Sequence, residues 1–312
     1  MSDHAPALPM LPVLPHRRPG ALRGAFLLLW RDKFAFAAAL FLVLLALTAI
    51  VGPELVGREA LAINLRGRNI GPFSGQGGWL YVLGADSLGR SILARLIVGS
   101  RTTLSIAGGA VLGALMIGGA LGFVAGFARG ALSSVILRIA DVVMSFPSLL
   151  LALIVLYVLE PRVANVVLVL IVSRIPIYLR TARAETLEVR ERMFVAAARV
   201  LGASPGRLVR RHVMPIVLPT LITVATLEFA FVMLSESSLS FLGLGVQAPG
   251  ITWGLMVADG RGTLGTAWWR SFWPGLAITL TAISINLVAN WVRVLTDPAQ
   301  RWRLEARADT DA

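Results

Sequence analysis

The chain has 312 residues, of which 56% are hydrophobic, and its mean hydropathy is +0.77. A soluble globular domain is about 45–50% apolar even when glycine is counted, so this composition argues against an ordinary soluble enzyme. The absence of cysteine excludes disulfide scaffolds, thiolate catalysis and cysteine-ligated zinc. The net charge of +12 is typical of a membrane protein that keeps its basic residues in cytoplasmic loops, so no nucleic-acid partner is needed to explain it.

The single lysine, Lys33, excludes one familiar kind of phosphate site. A P-loop needs a lysine that follows a glycine-rich turn and precedes serine or threonine, whereas Lys33 stands in Arg31-Asp32-Lys33-Phe34. We therefore expect no cofactor in this chain. Any ATP chemistry would have to reside on a partner subunit.

Six apolar stretches are long enough to cross a bilayer, for which a helix of about 20 residues suffices. They cover residues 34–52, 104–127, 135–158, 163–180, 215–241 and 273–295. The sequence therefore predicts an all-α, polytopic membrane protein. An even number of crossings puts both termini on one side, and most of the 29 basic residues, including Arg138, Arg174 and Arg180, fall on that side. The positive-inside rule makes it the cytoplasmic side.

The chain divides into four predicted regions. Residues 1–25 are rich in proline and arginine and lack helical periodicity, which predicts a flexible cytoplasmic tail. Residues 26–98 hold the first membrane helix and an external segment. Residues 99–301 form a core of five membrane helices, and residues 302–312 form a second cytoplasmic tail.

Glycine recurs along one face of the second span, at Gly109, Gly113, Gly118, Gly122 and Gly126. In lipid, small residues at steps of about four let a second helix approach closely. We interpret the row as a helix-packing seam, either within the bundle or in a dimer. The alternative is the generally high glycine content of membrane helices.

Proline interrupts four of the later spans, at Pro147, Pro176, Pro219 and Pro274. Each proline removes one hydrogen bond from a helix. A membrane helix tolerates this only where neighbouring groups satisfy the freed backbone. We expect kinks at these positions.

The predicted cytoplasmic segment 180–213 is too long and too regular for a simple connector. Helix-forming residues run from Phe194 into Gly202, a residue typical of helix ends, and Ser204-Pro205 is typical of a helix start. The sequence predicts a helix, a sharp turn and a second helix at the membrane surface. Such a hairpin can enter a groove on a partner protein. The alternative is a solvated basic loop that lies against anionic lipid headgroups.

This segment resembles the cytoplasmic EAA loop of bacterial ATP-binding-cassette import permeases. That loop has Glu-Ala-Ala, then glycine after three residues, then Leu-Pro; here Ala196-Ala197-Ala198 precedes Gly202, and Met214-Pro215 follows. Ala196 stands where the family usually has glutamate, so the signature carboxylate is missing. The resemblance implies that the segment docks an ATPase subunit through Val195, Ala196, Ala197, Ala198, Arg199, Gly202, Ala203, Ser204 and Arg207.

Other blocks resemble the C-type permease subunits of dipeptide and oligopeptide importers. They include residues 83–90 ahead of the second span, and residues 239–247 with Trp253-Gly254 after the fifth. The resemblance covers nearly all of residues 26–301. It implies a permease subunit of a binding-protein-dependent importer, with no enzymatic activity of its own, in the lipid of a bacterial cytoplasmic membrane. The implied partners are a second homologous permease, two ATP-binding subunits that carry ATP and Mg, and an external solute-binding protein.

Three acidic residues, Asp141, Glu228 and Glu236, fall inside predicted spans. Charges at this depth are costly, so they face protein, water or a counter-ion. For Asp141 we favour an ion pair with Arg138, one helical turn earlier. Glu228 and Glu236 are candidates for the translocation path, where one or the other would contact an ammonium group of the solute or order water. The alternative for Glu236 is a capped or hydrogen-bonded position near the outer boundary.

The solute stays open at this stage, because subunits similar to this one handle dipeptides, oligopeptides, glutathione, opines and nickel chelates. The alternative function is that of an ion-coupled secondary transporter. Such carriers often show inverted repeats, which this sequence lacks, and the large cytoplasmic hairpin would have no role in them. A membrane-embedded enzyme ranks third, because patterns such as Glu-x-x-His are missing.

Overall fold

The computed structural model describes residues 29–30, 32–128, 130–160 and 162–296. These residues are mostly helical and contain no β-strand, which confirms the predicted all-α fold. The predicted tails, residues 1–25 and 302–312, lie outside the described residues. The helices are α1 (Lys33–Leu61), α2 (Ile92–Phe127), α3 (Ala131–Ser145), α4 (Ser148–Leu159), α5 (Val163–Arg190), α6 (Met193–Val200), α7 (Pro205–Leu208), α8 (Met214–Phe241), α9 (Trp253–Gly260) and α10 (Trp269–Thr296).

Among the described residues, five helices are long and apolar enough to cross a membrane: α1, α2, α5, α8 and α10. The predicted third span is different, because it is two helices, α3 and α4, bent by 89°. Phe146 at the bend has extended backbone, with φ −93° and ψ 135°, as residues before a proline commonly do. The prediction of one continuous helix over residues 135–158 is therefore wrong, and Pro147 breaks it rather than kinking it.

The packing of α2 against α5 shows that α3 and α4 together make one crossing. Gly109 faces Val167, and further along both helices Gly126 faces Thr186, so α2 and α5 run parallel. The chain must therefore return to its starting side between them. Helices of 15 and 12 residues measure about 22 and 18 Å. At nearly a right angle they reach roughly 29 Å, about the thickness of the bilayer's hydrocarbon.

The glycine row on α2 forms the centre of this contact. A Cβ on Gly122 would lie 2.5 Å from the Cβ of Ala182 and 2.6 Å from the carbonyl oxygen of Leu179. A Cβ on Gly118 would lie 2.6 Å from the carbonyl oxygen of Ile175. The same face of α2 brings Gly113 against Ile171 and Gly126 against Thr186. The structure thus places the glycine seam inside this subunit, between two of its own helices.

Two helices are longer than hydropathy predicts. Helix α2 begins at Ile92, well before residue 104, because the side chain of Ser91 accepts a hydrogen bond from the backbone N–H of Ala94 at 3.1 Å and caps its start. Helix α5 continues past residue 180 to Arg190. The first part of the predicted segment 180–213 therefore belongs to a membrane helix, and the hairpin proper begins at Met193.

Candidate functional site

The hairpin, residues 193–213, turns at Gly202 as the sequence predicts. Gly202 has a φ of +84°, which glycine adopts without steric cost. Its N–H donates to the carbonyl oxygen of Arg199 at 3.0 Å, and the N–H of Ala203 donates to that of Ala198 at 3.1 Å. These two bonds form a Schellman motif, which satisfies the last carbonyls of α6. Ser204 then precedes α7, but its side chain makes no capping hydrogen bond.

One face of the hairpin packs onto the bundle. Val195 is fully buried, in a cluster that includes Val189, Leu208 and Val213. Val195 was predicted to contact a partner, and the structure instead makes it an anchor inside the subunit. Ala198 and Ala203 are partly buried against the same cluster. Of the other predicted docking residues, those exposed on the opposite face are Ala196, Ala197, Arg199, Gly202, Ser204 and Arg207.

The tip of the hairpin also exposes apolar side chains that sequence reasoning missed. Met193, Val200 and Leu201 are 88%, 88% and 87% exposed. Large apolar residues at the tip of an otherwise basic segment are a signal that the sequence did contain. Val200 and Leu201 form a small, water-exposed apolar surface beside the Gly202 turn, whereas Met193 lies at the other end of α6.

The hairpin is firmly joined to the two helices that flank it. On the α5 side, Val195 of the hairpin is buried in one cluster with Val189 near the end of α5, and the N–H of Val195 donates to the carbonyl oxygen of Arg192, just past that helix, at 3.0 Å. On the α8 side, residues 209–213 form one wide π turn in which the N–H of Met214 donates to the carbonyl oxygen of Val209. Pro215 follows and cannot donate a backbone hydrogen bond. A displacement of the hairpin would therefore be transmitted to both α5 and α8.

An ion pair lies between these two helices at mid-length. Nη1 of Arg174 in α5 is 3.4 Å from Oε2 of Glu228 in α8, and the Arg174 guanidinium lies 3.9 Å from the centroid of the Phe231 ring. Arg174 was predicted to be a cytoplasmic charge, but it is buried within a spanning helix. This residue was missed as a site because its partner is distant in sequence.

Glu236 has a different environment from Glu228. It is fully buried, and its carboxylate accepts a hydrogen bond from the hydroxyl of Ser240 at 2.7 Å. This agrees with the hydrogen-bonded alternative for Glu236, not with a position open to a solute. Asp141 pairs with Arg180 of α5 at 2.5 Å, so the predicted pairing with Arg138 is wrong, and the ion pair joins two helices instead of stabilising one.

The block at residues 83–90 fastens the external segment to the bundle. One carboxylate oxygen of Asp86 accepts from the N–H groups of Leu88 and Arg90, both at 2.9 Å, and the other pairs with the guanidinium groups of Arg90 and Arg95. Arg95 also reaches Asp259, with 3.4 Å between Nη2 and Oδ2. Asp86 is thus the centre of a largely buried charge network that connects α2 to α9.

This network predicts an acid-sensitive external segment. Burial alone would raise the pKa of Asp86, but the backbone N–H of Arg90 and the guanidinium of Arg95 outweigh it and hold that pKa below its usual value. The resulting stability is present above the unfolded-state pKa, about 3.9, and is lost as pH falls through the lower folded-state value. We expect Asp86→Asn to lower the free energy of unfolding at pH 7 by about 1–3 kcal/mol. Below pH 4, this free energy should decrease less steeply with falling pH in the variant than in the unmodified chain. Thermal unfolding of the purified chain across pH 3–7 measures both effects. The same loss of stability at acid pH in the variant and in the unmodified chain would contradict this prediction.

Comparison with known proteins identifies the family. A family model described as the binding-protein-dependent transport system inner membrane component matches residues 118–302. The probable D,D-dipeptide transport system permease protein DdpC of Escherichia coli is 37% identical over 87% of this chain and 90% of its own length. The glutathione transport system permease protein GsiD of Pectobacterium atrosepticum is 34% identical over 93% of this chain and 96% of its own. The chain belongs to this family of transport permeases.

A solved structure shares the fold of this permease. The MetNI methionine ABC transporter, in an inward-facing conformation, matches with a TM-score of 0.54 and 19% identity over 65% of this chain and 96% of the matched chain. The expected function, a membrane-spanning permease subunit of an importer, is confirmed at the level of the family. The alternative, an ion-coupled secondary transporter, is not favoured by these relatives.

Proposed function

We propose that this permease admits di- or oligopeptides, or similar small solutes, and is driven by ATP-binding subunits that dock on the hairpin. The observation that carries the docking is the apolar tip formed by Val200 and Leu201, which are 88% and 87% exposed. Exposed apolar area of this kind is stabilised when a partner covers it. The basic residues Arg199 and Arg207 stand beside the tip and suit an acidic rim on that partner.

The proposed mechanism needs no chemistry in this chain. ATP and Mg, bound on the partner subunits, would bring those subunits together and displace the hairpin. Because the hairpin is continuous with α8 and packs through Val195 against Val189 at the end of α5, its displacement would tilt both helices. The bundle would then shift between two states that open to opposite sides of the membrane, driven by the preference of the partners for one of them.

The proposed assembly has a second homologous permease, two ATP-binding subunits and an external solute-binding protein. The family description, which names a binding-protein-dependent system and an inner membrane component, supports the last of these and a bacterial cytoplasmic membrane. The names of the relatives give different solutes. One is a dipeptide permease of Alkalihalophilus pseudofirmus at 33% identity, and another is a nickel permease of Escherichia coli at 34% identity. We favour peptides because D,D-dipeptide and dipeptide permeases are among the relatives most similar to this chain.

Docking can be tested with a single introduced cysteine, because the chain has no natural cysteine. Leu201→Cys, carrying a photoactivatable crosslinker, should attach to an ATP-binding subunit in the assembled complex. The control is Leu44→Cys, since Leu44 is also exposed but lies on α1. Attachment of Leu201→Cys to lipid alone, with none to an ATP-binding subunit, would instead support the solvated-loop interpretation.

The proposed topology makes a separate prediction. With both termini in the cytoplasm, terminal tags should resist an external protease in intact cells. A cleavage site placed at Gly75, which is exposed in the segment between α1 and α2, should be cut. Protease digestion followed by immunoblotting measures both. Cleavage of a C-terminal tag from outside would put the hairpin on the wrong side for cytoplasmic ATP-binding subunits.

A further inference from the structure

The pair formed by Arg174 and Glu228 lies deep in the membrane part of the bundle. About 24 Å of helix separates Arg174 from Arg190, and about 21 Å separates Glu228 from Met214. Both residues therefore lie at a similar depth above the hairpin, near the middle of helices of 28 residues each. Ionisable residues at such a depth are expensive and mark functional paths or internal pairs.

The described part of the subunit does not supply a hydrogen-bond partner for every polar atom of this pair. At 3.4 Å the contact is an ion pair without a good hydrogen bond. Within the described part of the chain, three buried polar atoms here have no hydrogen-bond partner: Nε of Arg174, Oε2 of Glu228 and the hydroxyl of Tyr178. Tyr178 follows Arg174 by one turn on the same face of α5. A sealed structural ion pair needs its remaining donors and acceptors satisfied, so this cluster has capacity for another polar group.

The cluster is also reachable from the surface of the subunit. The side chain of Glu228 keeps 16% of its exposure and that of Arg174 8%. The Phe231 ring, stacked on the Arg174 guanidinium, is 48% exposed. Phe231 thus contacts the Arg174 guanidinium and also reaches the surface of the subunit.

We infer that Arg174 and Glu228 form a contact site for a zwitterionic solute during its passage, an inference that rests on the proposed function. Glu228 accepts hydrogen bonds from the solute's ammonium group, and Arg174 donates to its carboxylate. The loose ion pair opens and each residue exchanges its partner for the opposite charge of the solute. The site is neutral when empty and neutral when occupied, so a zwitterion passes without leaving an unpaired charge in a medium of low dielectric.

This exchange explains why the two charges are placed together. An N-acetylated peptide brings only a carboxylate, so Glu228 would be left without a partner. A peptide amide brings only an ammonium group, so Arg174 would be left without one. Losing one charge-assisted hydrogen bond corresponds to a loss of roughly tenfold to a hundredfold. The site therefore selects for a solute that carries both charges.

The first test uses thiol labelling in the complete complex in proteoliposomes, with Phe231→Cys in this cysteine-free chain. A small charged methanethiosulfonate reagent should modify this cysteine, and alanyl-alanine should slow the reaction roughly tenfold. N-acetyl-alanyl-alanine should protect far less. The control is Leu44→Cys, at 54% exposure on α1, which should stay unmodified in lipid. An unreactive Phe231→Cys, or one that alanyl-alanine does not protect, would overturn the inference.

The second test separates this inference from the proposed function. In the same proteoliposomes, Glu228→Gln should lower kcat/KM for ATP-driven uptake of alanyl-alanine roughly tenfold or more, at unchanged accumulation of the subunit. It should also remove the protection of Phe231→Cys by alanyl-alanine. Normal uptake by Glu228→Gln overturns the solute contact and leaves the importer function standing. No uptake of alanyl-alanine by the unmodified complex overturns the proposed peptide import, and this inference with it.

Discussion

Replacing Gly202 with valine should abolish coupled transport while the subunit still accumulates in the membrane. Gly202 has a φ of +84°, which a β-branched residue adopts only with a strain of about 1–3 kcal/mol. Among the described residues, apart from Gly202 and its two chain neighbours, no atom lies within 4 Å of a Cβ placed there, so the substitution creates no clash with them. Its effect falls on the shape of the turn and on whatever covers it. ATP-driven uptake and solute-stimulated ATPase activity should therefore fall together.

Two control variants make this prediction specific to docking. Gly75→Val introduces the same kind of strain, because Gly75 has a φ of +71° and also open space around its Cβ, but it lies in the external segment. It should leave coupling intact. Arg207→Ala removes an exposed charge beside the tip and should have a mild effect, since an exposed ion pair is worth about 0–1 kcal/mol. Normal transport by Gly202→Val at normal accumulation would mean that the hairpin is only a solvated loop.

The turn of the hairpin was predictable because its signals are local. Gly202, Ser204 and Pro205 each specify backbone geometry within one or two residues, and the structure has its turn there. The orientation of α6 was not predictable in the same way. Val195 faces inward because Val189, Leu208 and Val213 surround it, and the last two come from elements that follow the turn. Which residues of a short helix face a partner depends on that tertiary contact.

The proline positions show a similar limit. Hydropathy located the membrane segments, but it could not distinguish a proline that a helix tolerates from one that ends it. Pro176 is buried inside α5, where packing against neighbouring helices holds the backbone in place. Pro147 is exposed and has no such support, so the chain bends there by 89°. The number of crossings could be predicted, whereas the form of the third could not.

Ion pairs were the least predictable part of the site. Arg174 with Glu228, and Arg180 with Asp141, each join helices that are distant in sequence. The pairing expected from the sequence used neighbours at helical spacing, because only those are visible without a fold. The residue type alone did indicate that Glu228 matters, since a carboxylate inside a span is costly. Its partner, Arg174, could be identified only from the packing of α5 against α8.

Replacing Gly122 with alanine should weaken the subunit itself, in contrast to Gly202→Val. A Cβ at this position would lie 2.6 Å from the carbonyl oxygen of Leu179 and 2.5 Å from the Cβ of Ala182. One neighbour is backbone and the other is a methyl group fixed to it, so neither can rotate away and α5 has to shift. Overpacking of this kind costs about 1–3 kcal/mol. We expect a lower midpoint of thermal unfolding in detergent and weaker accumulation.

The matched control for Gly122→Ala is Gly119→Ala, on the same helix and one turn earlier. A Cβ on Gly119 would lie 3.6 Å from Cδ1 of Leu221, an ordinary contact distance. Alanine is also the better helix former by about 1 kcal/mol, so Gly119→Ala should be neutral or slightly stabilising. Because both variants add one methyl group to α2, their difference isolates the close approach of α5. Equal unfolding midpoints for the two variants would contradict a backbone-tight seam and would favour the interpretation that these glycines only reflect membrane-helix composition.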